Sequence, residues 1–492
     1  MSFGGLFYTQ ATAGRRRSLL IQSGCSPAAA IRVIIDLTEM RRFSVILFLL
    51  ICASAAGVRC PTLAAVQLSP VFSDNMVLQR DMPIRLWGKA DPGENISVAL
   101  AGQSARATAD ASGHWQTSLQ PLPAGGPLDM VVTGTSTVTI HNVLIGDVWL
   151  CSGQSNMAMK LWEAINGQKE AAAANYPQIR LFVVKEAAAD TPQTETAGPW
   201  TPCTPQSAAY FSAVGYYFGR ELQQELNVPI GLMQSTVGGS AIEGWISADA
   251  MRTLKSGGGI KPSSLYNGMI APLVPYGIKG VIWYQGEANV GQAPLYQKLF
   301  PALIADWRRV WGEGTFPFLY VQLAGYSKPS AQPQNSPWAE LREAQTKARL
   351  VPNTRMAIAI DLGHEVDMHP KNKQEVGHRL ALIALATLYG KGVAFGGPSY
   401  ESMKVEGNKI RLFFKNADSG LTVRGGPALK GFAVAGADHK FVWANANIDG
   451  ESVLVWSDKV PAPAAVRYAW DDNPVCNLYN KDDLPCAPFR TE

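Results

Sequence analysis

The sequence predicts an α/β chain, a parallel sheet with crossover helices held between two β-rich modules. Apolar strand candidates alternate with helical stretches from about Asn142 to Gly392, the rhythm of strands joined by crossover helices. On either side, short runs of alternating polarity are broken by turn residues, the rhythm of antiparallel β-structure. The chain has 492 residues, too many for one ordinary core, and its 46 Gly and 32 Pro favour many short elements. With 47% hydrophobic and 17% charged residues, a disordered tail protein or a solvated coiled coil is excluded.

Residues 1–64 read as a leader. Met40-Arg41-Arg42 precedes an apolar run from Phe43 to Gly57 with small residues at Ala53-Ser54-Ala55, the pattern of a secretory signal peptide. The run falls short of the roughly 20 apolar residues that a stable membrane span needs. Translation is expected to start at Met40, and an alternative cleavage point follows Leu63-Ala64. The expected destination is secreted, periplasmic or another extracytoplasmic compartment. The net charge of +4 misleads, because seven Arg and only Asp36 and Glu39 precede residue 65. The remainder is close to neutral, without the basic footprint of a nucleic-acid binder.

Residues 65–141 carry strand candidates at Ile84 to Trp87, Ile96 to Leu100 and Thr137 to Ile140. Asp91-Pro92-Gly93, Ala101-Gly102 and Ser112-Gly113 separate them, as in a small β-sandwich. Residues 142–395 hold the α/β block. Its strand candidates are Val143 to Leu150, Val228 to Met233, Gly280 to Tyr284, Phe316 to Gln322 and Met356 to Ile360. Its helical candidates are Ala213 to Leu226, Leu295 to Trp311, Trp338 to Ala348 and Lys373 to Tyr389. In residues 396–492 alternation returns at Lys409 to Phe414, Phe441 to Trp443 and Ser452 to Trp456. Outside the leader, Cys151, Cys203, Cys476 and Cys486 form an even set, compatible with disulfides. Cys476 and Cys486 are expected either to staple the C-terminal loop or to be buried thiols. No Cys/His spacing suggests zinc.

Ligands of open parallel sheets bind beyond the carboxyl ends of the strands, and three predicted strands end in polar or glycine clusters. The first breaks into Ser152-Gly153-Gln154-Ser155-Asn156-Met157. A Ser at a strand-to-helix turn projects its hydroxyl into the crevice, although a helix cap uses the same residue. The second is Gln234 to Ser240, whose Gly238-Gly239 allows close backbone approach and frees an N–H for an oxyanion, or simply makes a turn. The third, Tyr284-Gln285-Gly286-Glu287-Ala288-Asn289, offers side-chain amides to an oxyanion or to loop capping. A Ser nucleophile also needs a base. Of six His, His364, His369 and His378 lie near one another, with Asp367 two residues before His369. A carboxylate there can orient the imidazole and stabilise its cation. His378 falls in a helical run and reads as structural or surface.

That order resembles the sialate O-acetylesterase family, a branch of the SGNH hydrolases. Gly146 to Met157 looks like its nucleophile block, Gly238-Gly239 with Ile242-Glu243-Gly244-Trp245 its second, and Trp283 to Asn289 its third. Asp367-Met368-His369-Pro370-Lys371-Asn372-Lys373 resembles the last. Val71 to Gln79 looks like the family's opening and Val466 to Pro474 its closing segment, so the resemblance covers nearly all of the chain after the leader. It implies a flavodoxin-like parallel sheet with helices on both faces, flanked by β-sandwich-like modules.

The resemblance further implies Ser155 as nucleophile, His369 as base and Asp367 as acid, with the N–H groups of Ser155 and Gly239 and the Gln285 amide as the oxyanion hole. In SGNH enzymes generally the acid stands three residues before the base, where this chain has Val366, so Asp361 or a Ser–His dyad remain alternatives. Trp245, Trp283, Glu287 and Arg342 are candidates for sugar contact, with core packing the alternative for the two Trp and a surface ion pair the alternative for Arg342. The substrate implied is an O-acetylated carbohydrate, sialic acids first and acetylated xylan or another polysaccharide second, with no metal or organic cofactor. A non-catalytic carbohydrate-binding protein is the remote alternative. Activity is expected to rise with pH as the base loses its proton.

Overall fold

The computed structural model describes residues 66–196, 198–254 and 261–492. The leader, with its signal-peptide reading and Cys25, Cys52 and Cys60, lies outside the described residues. The sequence-predicted boundary between residues 141 and 142 falls inside one strand, β1 (Thr137–Gly153). Its first half pairs antiparallel with Gly125–Thr133 of the N-terminal module, and its second half is the middle of the parallel sheet. Asn142 marks the junction with a left-handed φ of 58°, and its side chain bonds Asn75 and Arg180. From Val143 onward every residue of the strand is buried, so burial continues where the module changes.

The parallel sheet adds β2 (Tyr176–Val183), β3 (Thr201–Cys203), β4 (Ile230–Thr236), β5 (Gly280–Tyr284), β6 (Phe318–Val321) and β7 (Thr354–Ala357). Their order is β3-β2-β4-β1-β5-β6-β7, parallel throughout except for the edge strand β3. Sequence reading missed β2 and β3. β3 is only three residues long, and β2 begins Tyr176-Pro177-Gln178 with a buried run of only four residues. The main helices are α1 (Ser155–Ala158), α2 (Ala213–Leu226), α3 (Ala293–Trp311), α4 (Pro337–Lys347) and α5 (Lys373–Leu388). Each of the last two begins at a side-chain cap, Ser336 or Asn372, which accepts a first-turn N–H and fixes where the helix starts.

Helices cover both faces. Trp149 of β1 meets Phe218 of α2 edge-on, and Cys151 abuts Gly215 of the same helix. On the opposite face Trp283 of β5 packs on Phe300 and Trp307 of α3. α2 packs on α5, and α3 on α4.

In the N-terminal module Gln67–Leu68, Ile84–Lys89 and His114–Leu119 form one sheet, and Asn95–Leu100, Gln103–Thr108 and Gly125–Thr133 pair in another that continues into β1. Buried Asp147 ties it to the parallel sheet, accepting from Arg80 at 2.9 Å and from Tyr389 at 2.9 Å. The C-terminal module has two four-stranded sheets around its own core, which includes Ile410, Leu412, Val434 and Val455. Cys151, Cys203, Cys476 and Cys486 are free thiols, and burial pushes Cys476 up to about 12. The predicted staple between Cys476 and Cys486 is therefore not formed. Among the described residues, no helix is long and apolar enough to cross a membrane.

Candidate active site

Register brings the predicted loops together. Gly153 of β1 pairs with Thr236 of β4 and Tyr284 of β5, so three strands end level and their loops leave at one edge. Gly153 has φ 134°, and a Cβ there would stand 2.1 Å from the Tyr284 carbonyl oxygen. Only glycine permits this turn, which delivers Ser155 as the first residue of α1. Gln154 fastens it, accepting from the N–H groups of Gly286 and Ala288 at 3.2 Å each. The glycine loop after β4 passes beside the hydroxyl, since a Cβ added to Gly238 would lie 3.9 Å from Ser155 Cβ. Gly239 follows with φ 67°.

The loop between β7 and α5 supplies the base. His369 Nε2 lies 2.8 Å from Ser155 Oγ, and His369 Nδ1 lies 3.1 Å from Asp367 Oδ1. The same carboxylate oxygen accepts the His369 backbone N–H at 2.9 Å. With Nδ1–H facing a carboxylate, Nε2 is left to accept from the serine hydroxyl. Partial burial alone would raise the Asp367 carboxyl. The bonds from His369 and the Lys371 ammonium, 3.6 Å away, hold it below the usual range. Asp361 faces elsewhere, accepting from both Arg379 terminal nitrogens at 2.6 and 2.7 Å and from the Tyr479 hydroxyl. Val366, at the expected acid position, is 74% exposed.

The family model for carbohydrate esterase, sialic acid-specific acetylesterase, matches residues 145–386. The sialate O-acetylesterase of Homo sapiens is 32% identical over 481 residues, 85% of this chain and 91% of that protein. The chain belongs to the sialate O-acetylesterase family. The Mus musculus sialate O-acetylesterase is 33% identical over 514 residues, again 85% of this chain and 93% of that protein. A carbohydrate acetylesterase from Xanthomonas citri, known from its crystal structure, is 44% identical with a TM-score of 0.83. That match covers 87% of this chain and 99% of the Xanthomonas chain. As a sialate O-acetylesterase family member, the protein is a carboxylic ester hydrolase.

Other expected site residues of this family member lie behind the crevice. Both amide hydrogens of Gln285 are engaged, donating to Ser240 O at 3.1 Å and Asn289 Oδ1 at 2.8 Å, so the predicted oxyanion donor has no free N–H. Arg342 is fully buried and donates to the carbonyls of Leu323, Ala324, Asp471 and Asp472. It fastens the C-terminal module to α4 and is no sugar contact. Trp245 is also buried, its indole N–H donating to Ser240 Oγ at 2.9 Å, and Trp283 lies in the core beside it. Glu287 accepts from Asn156.

Sequence reading missed Gln154, Asn156 and Lys373, all buried. Gln154 and Asn156 flank the nucleophile, and a polar residue on each side of it was the available signal. Lys373 closes the last of the motif blocks, but a lysine in the first turn of a helix ordinarily reads as exposed.

Proposed function

We propose that the protein is an exported serine esterase that removes O-acetyl groups from sugars through an acetyl-serine intermediate. The observation that carries this reading is the hydrogen-bonded line from Ser155 Oγ through His369 to Asp367. His369 takes the hydroxyl proton as Ser155 attacks the acetyl carbonyl, and the N–H groups of Ser155 and Gly239 receive the oxyanion. The C–O bond to the sugar then breaks, and His369 returns the proton to the departing sugar oxygen. Water, deprotonated by His369, attacks the acetyl-serine, releasing acetate and restoring the hydroxyl. An oxyanion donor typically contributes about 10²- to 10³-fold to such a step.

O-acetylated sialic acids are the first substrate class, because the curated relatives are named sialate O-acetylesterases. A second reading, acetylated xylan or another polysaccharide, draws on the more similar Xanthomonas protein, described more broadly as a carbohydrate acetylesterase. Export rests on the Met40 to Gly57 pattern.

The test is acetate release from O-acetylated sialic acids, acetyl-xylo-oligosaccharides and an aryl acetate, by the parent and by Ser155→Ala. The variant should fold normally and lose about 10⁶-fold in kcat. Undiminished release by Ser155→Ala would overturn the mechanism, and the parent's ranking of the first two substrates decides between the sugars.

A further inference from the structure

Behind the reacting face lies a polar group to which the mechanism above gives no role. Asn156 follows the nucleophile in the chain and is 1% exposed. Its side-chain amide donates to the Met368 carbonyl at 3.0 Å and to Glu287 Oε1. Its carbonyl oxygen accepts from the Lys373 ammonium. One carboxamide thus joins three separate segments: the loop after β5, the histidine loop and the first turn of α5.

We propose that Asn156 is a positioning residue that sets the distance between Ser155 and His369, and that the Lys373–Glu287 pair fixes its orientation. The inference rests on the Ser155–His369 reading above. Asn156 is bonded through the chain to Ser155, and the Met368 carbonyl it holds belongs to the residue just before His369. The contact closes a short ring around the 2.8 Å Ser155–His369 hydrogen bond. Up to about pH 7, where Lys373 keeps its proton, an ammonium on one side and a carboxylate on the other allow the amide one orientation, oxygen toward Lys373 and nitrogen toward Glu287. Reversal would set N–H against ammonium and oxygen against carboxylate.

Lys373 and Glu287 each bond Asn156, and burying two such groups is costly. Lys373 has no exposed surface, and its nitrogen sits 5.0 Å from the Tyr284 ring centre. Besides Glu287, the charged groups acting on it are Lys371 and Asp367. Precise placement is where such a cost is recovered, since a misplacement of about 1 Å can lower a rate about 100-fold.

The test measures kcat and KM of the full chain on an aryl acetate, per site titrated with a serine-directed phosphonate. Asn156→Ala should lose about 100-fold in kcat with KM changed less than about two-fold. Asn156→Asp keeps the acceptor for Lys373 but lacks the N–H for Met368, and should fall about as far. Lys373→Met, which frees the amide to turn, provides the readout if Asn156→Ala does not fold, with an expected loss of about 10-fold. Normal kcat per titrated site in Asn156→Ala, or in Lys373→Met where that variant is the readout, would overturn the proposal, as would full activity in Asn156→Asp. Ser155→Ala separates the two levels. If it stays active the esterase mechanism fails, whereas if it is dead while the Asn156 variants are normal only the positioning role fails.

Discussion

Two carboxylates on the segment between β7 and α5 have opposite surroundings. Asp361 has its side chain largely covered against Arg379, accepts from both of its terminal nitrogens and from Tyr479, and joins α5 to the C-terminal module. Asp367 has a side chain 36% exposed and meets only His369 and, more distantly, Lys371. The covered acid holds the segment's ends in place, while the accessible one is left beside the base. A charge that serves only architecture can be largely enclosed, whereas one that must respond to a reacting imidazole stays accessible.

The sharpest way to break this contrast is to turn each acid into its amide. Asp367→Asn should keep the fold and lower kcat by about 10⁴-fold, as when a triad acid becomes an amide. A near-normal rate would leave a Ser–His dyad. Asp361→Asn should do the reverse. It leaves Glu375 as the anionic partner of buried Arg379, with an expected stability loss of about 1–3 kcal/mol in denaturant melts, while kcat per folded molecule changes less than about two-fold. If Asp361→Asn instead lost rate without stability, the assignment of roles would be inverted.

Lys373 sharpens the contrast with a smaller effect. Burial is the main cause that lowers its ammonium to about 7, against the partial opposition of Glu287, and burial raises the Glu287 carboxyl above its usual range. Below pH 7 folded and unfolded chains both protonate Lys373, and the burial penalty is fully present. Between pH 7 and about 10 the unfolded chain still holds a proton that the folded chain has released, so this group makes stability rise with pH. Glu287 acts with the opposite sign on the acid side, between the ordinary glutamate value and its raised one. The stability difference between the parent and Lys373→Met should therefore shift toward the parent above pH 7, by on the order of 1 kcal/mol per pH unit. A difference flat from pH 7 to 10 would contradict a buried ammonium.

The parallel sheet was legible because its strands are short apolar runs with glycine or polar ends, and α2 and β5 coincide with their predicted bounds. The boundary before residue 142 was not, because a strand serving two sheets shows no break in apolarity at the junction. Ser155, Asp367 and His369 could be named because four motifs along the chain resemble the family's in order, whereas the local chemistry of Ser155 alone fits a helix cap as well as a nucleophile. Gln285, Trp245 and Arg342 were expected at the crevice because each type often meets sugars or oxyanions. Which way such a side chain turns depends on partners distant in sequence, such as Ser240 for Trp245 and Asp471 for Arg342. Asn156 and Lys373 escaped for the same reason, since their bond joins residues 217 positions apart in the chain.

The central claim is that Ser155 forms the covalent bond to the acyl group. It is tested most directly by treating the protein with a serine-directed fluorophosphonate, mapping the label by peptide mass spectrometry and following acetate release on the same sample. The account predicts one label per molecule, on Ser155, with activity lost in proportion to labelling and no label on Ser155→Ala. A label on another residue that abolishes activity, or full acetate release from protein labelled at Ser155, would contradict it.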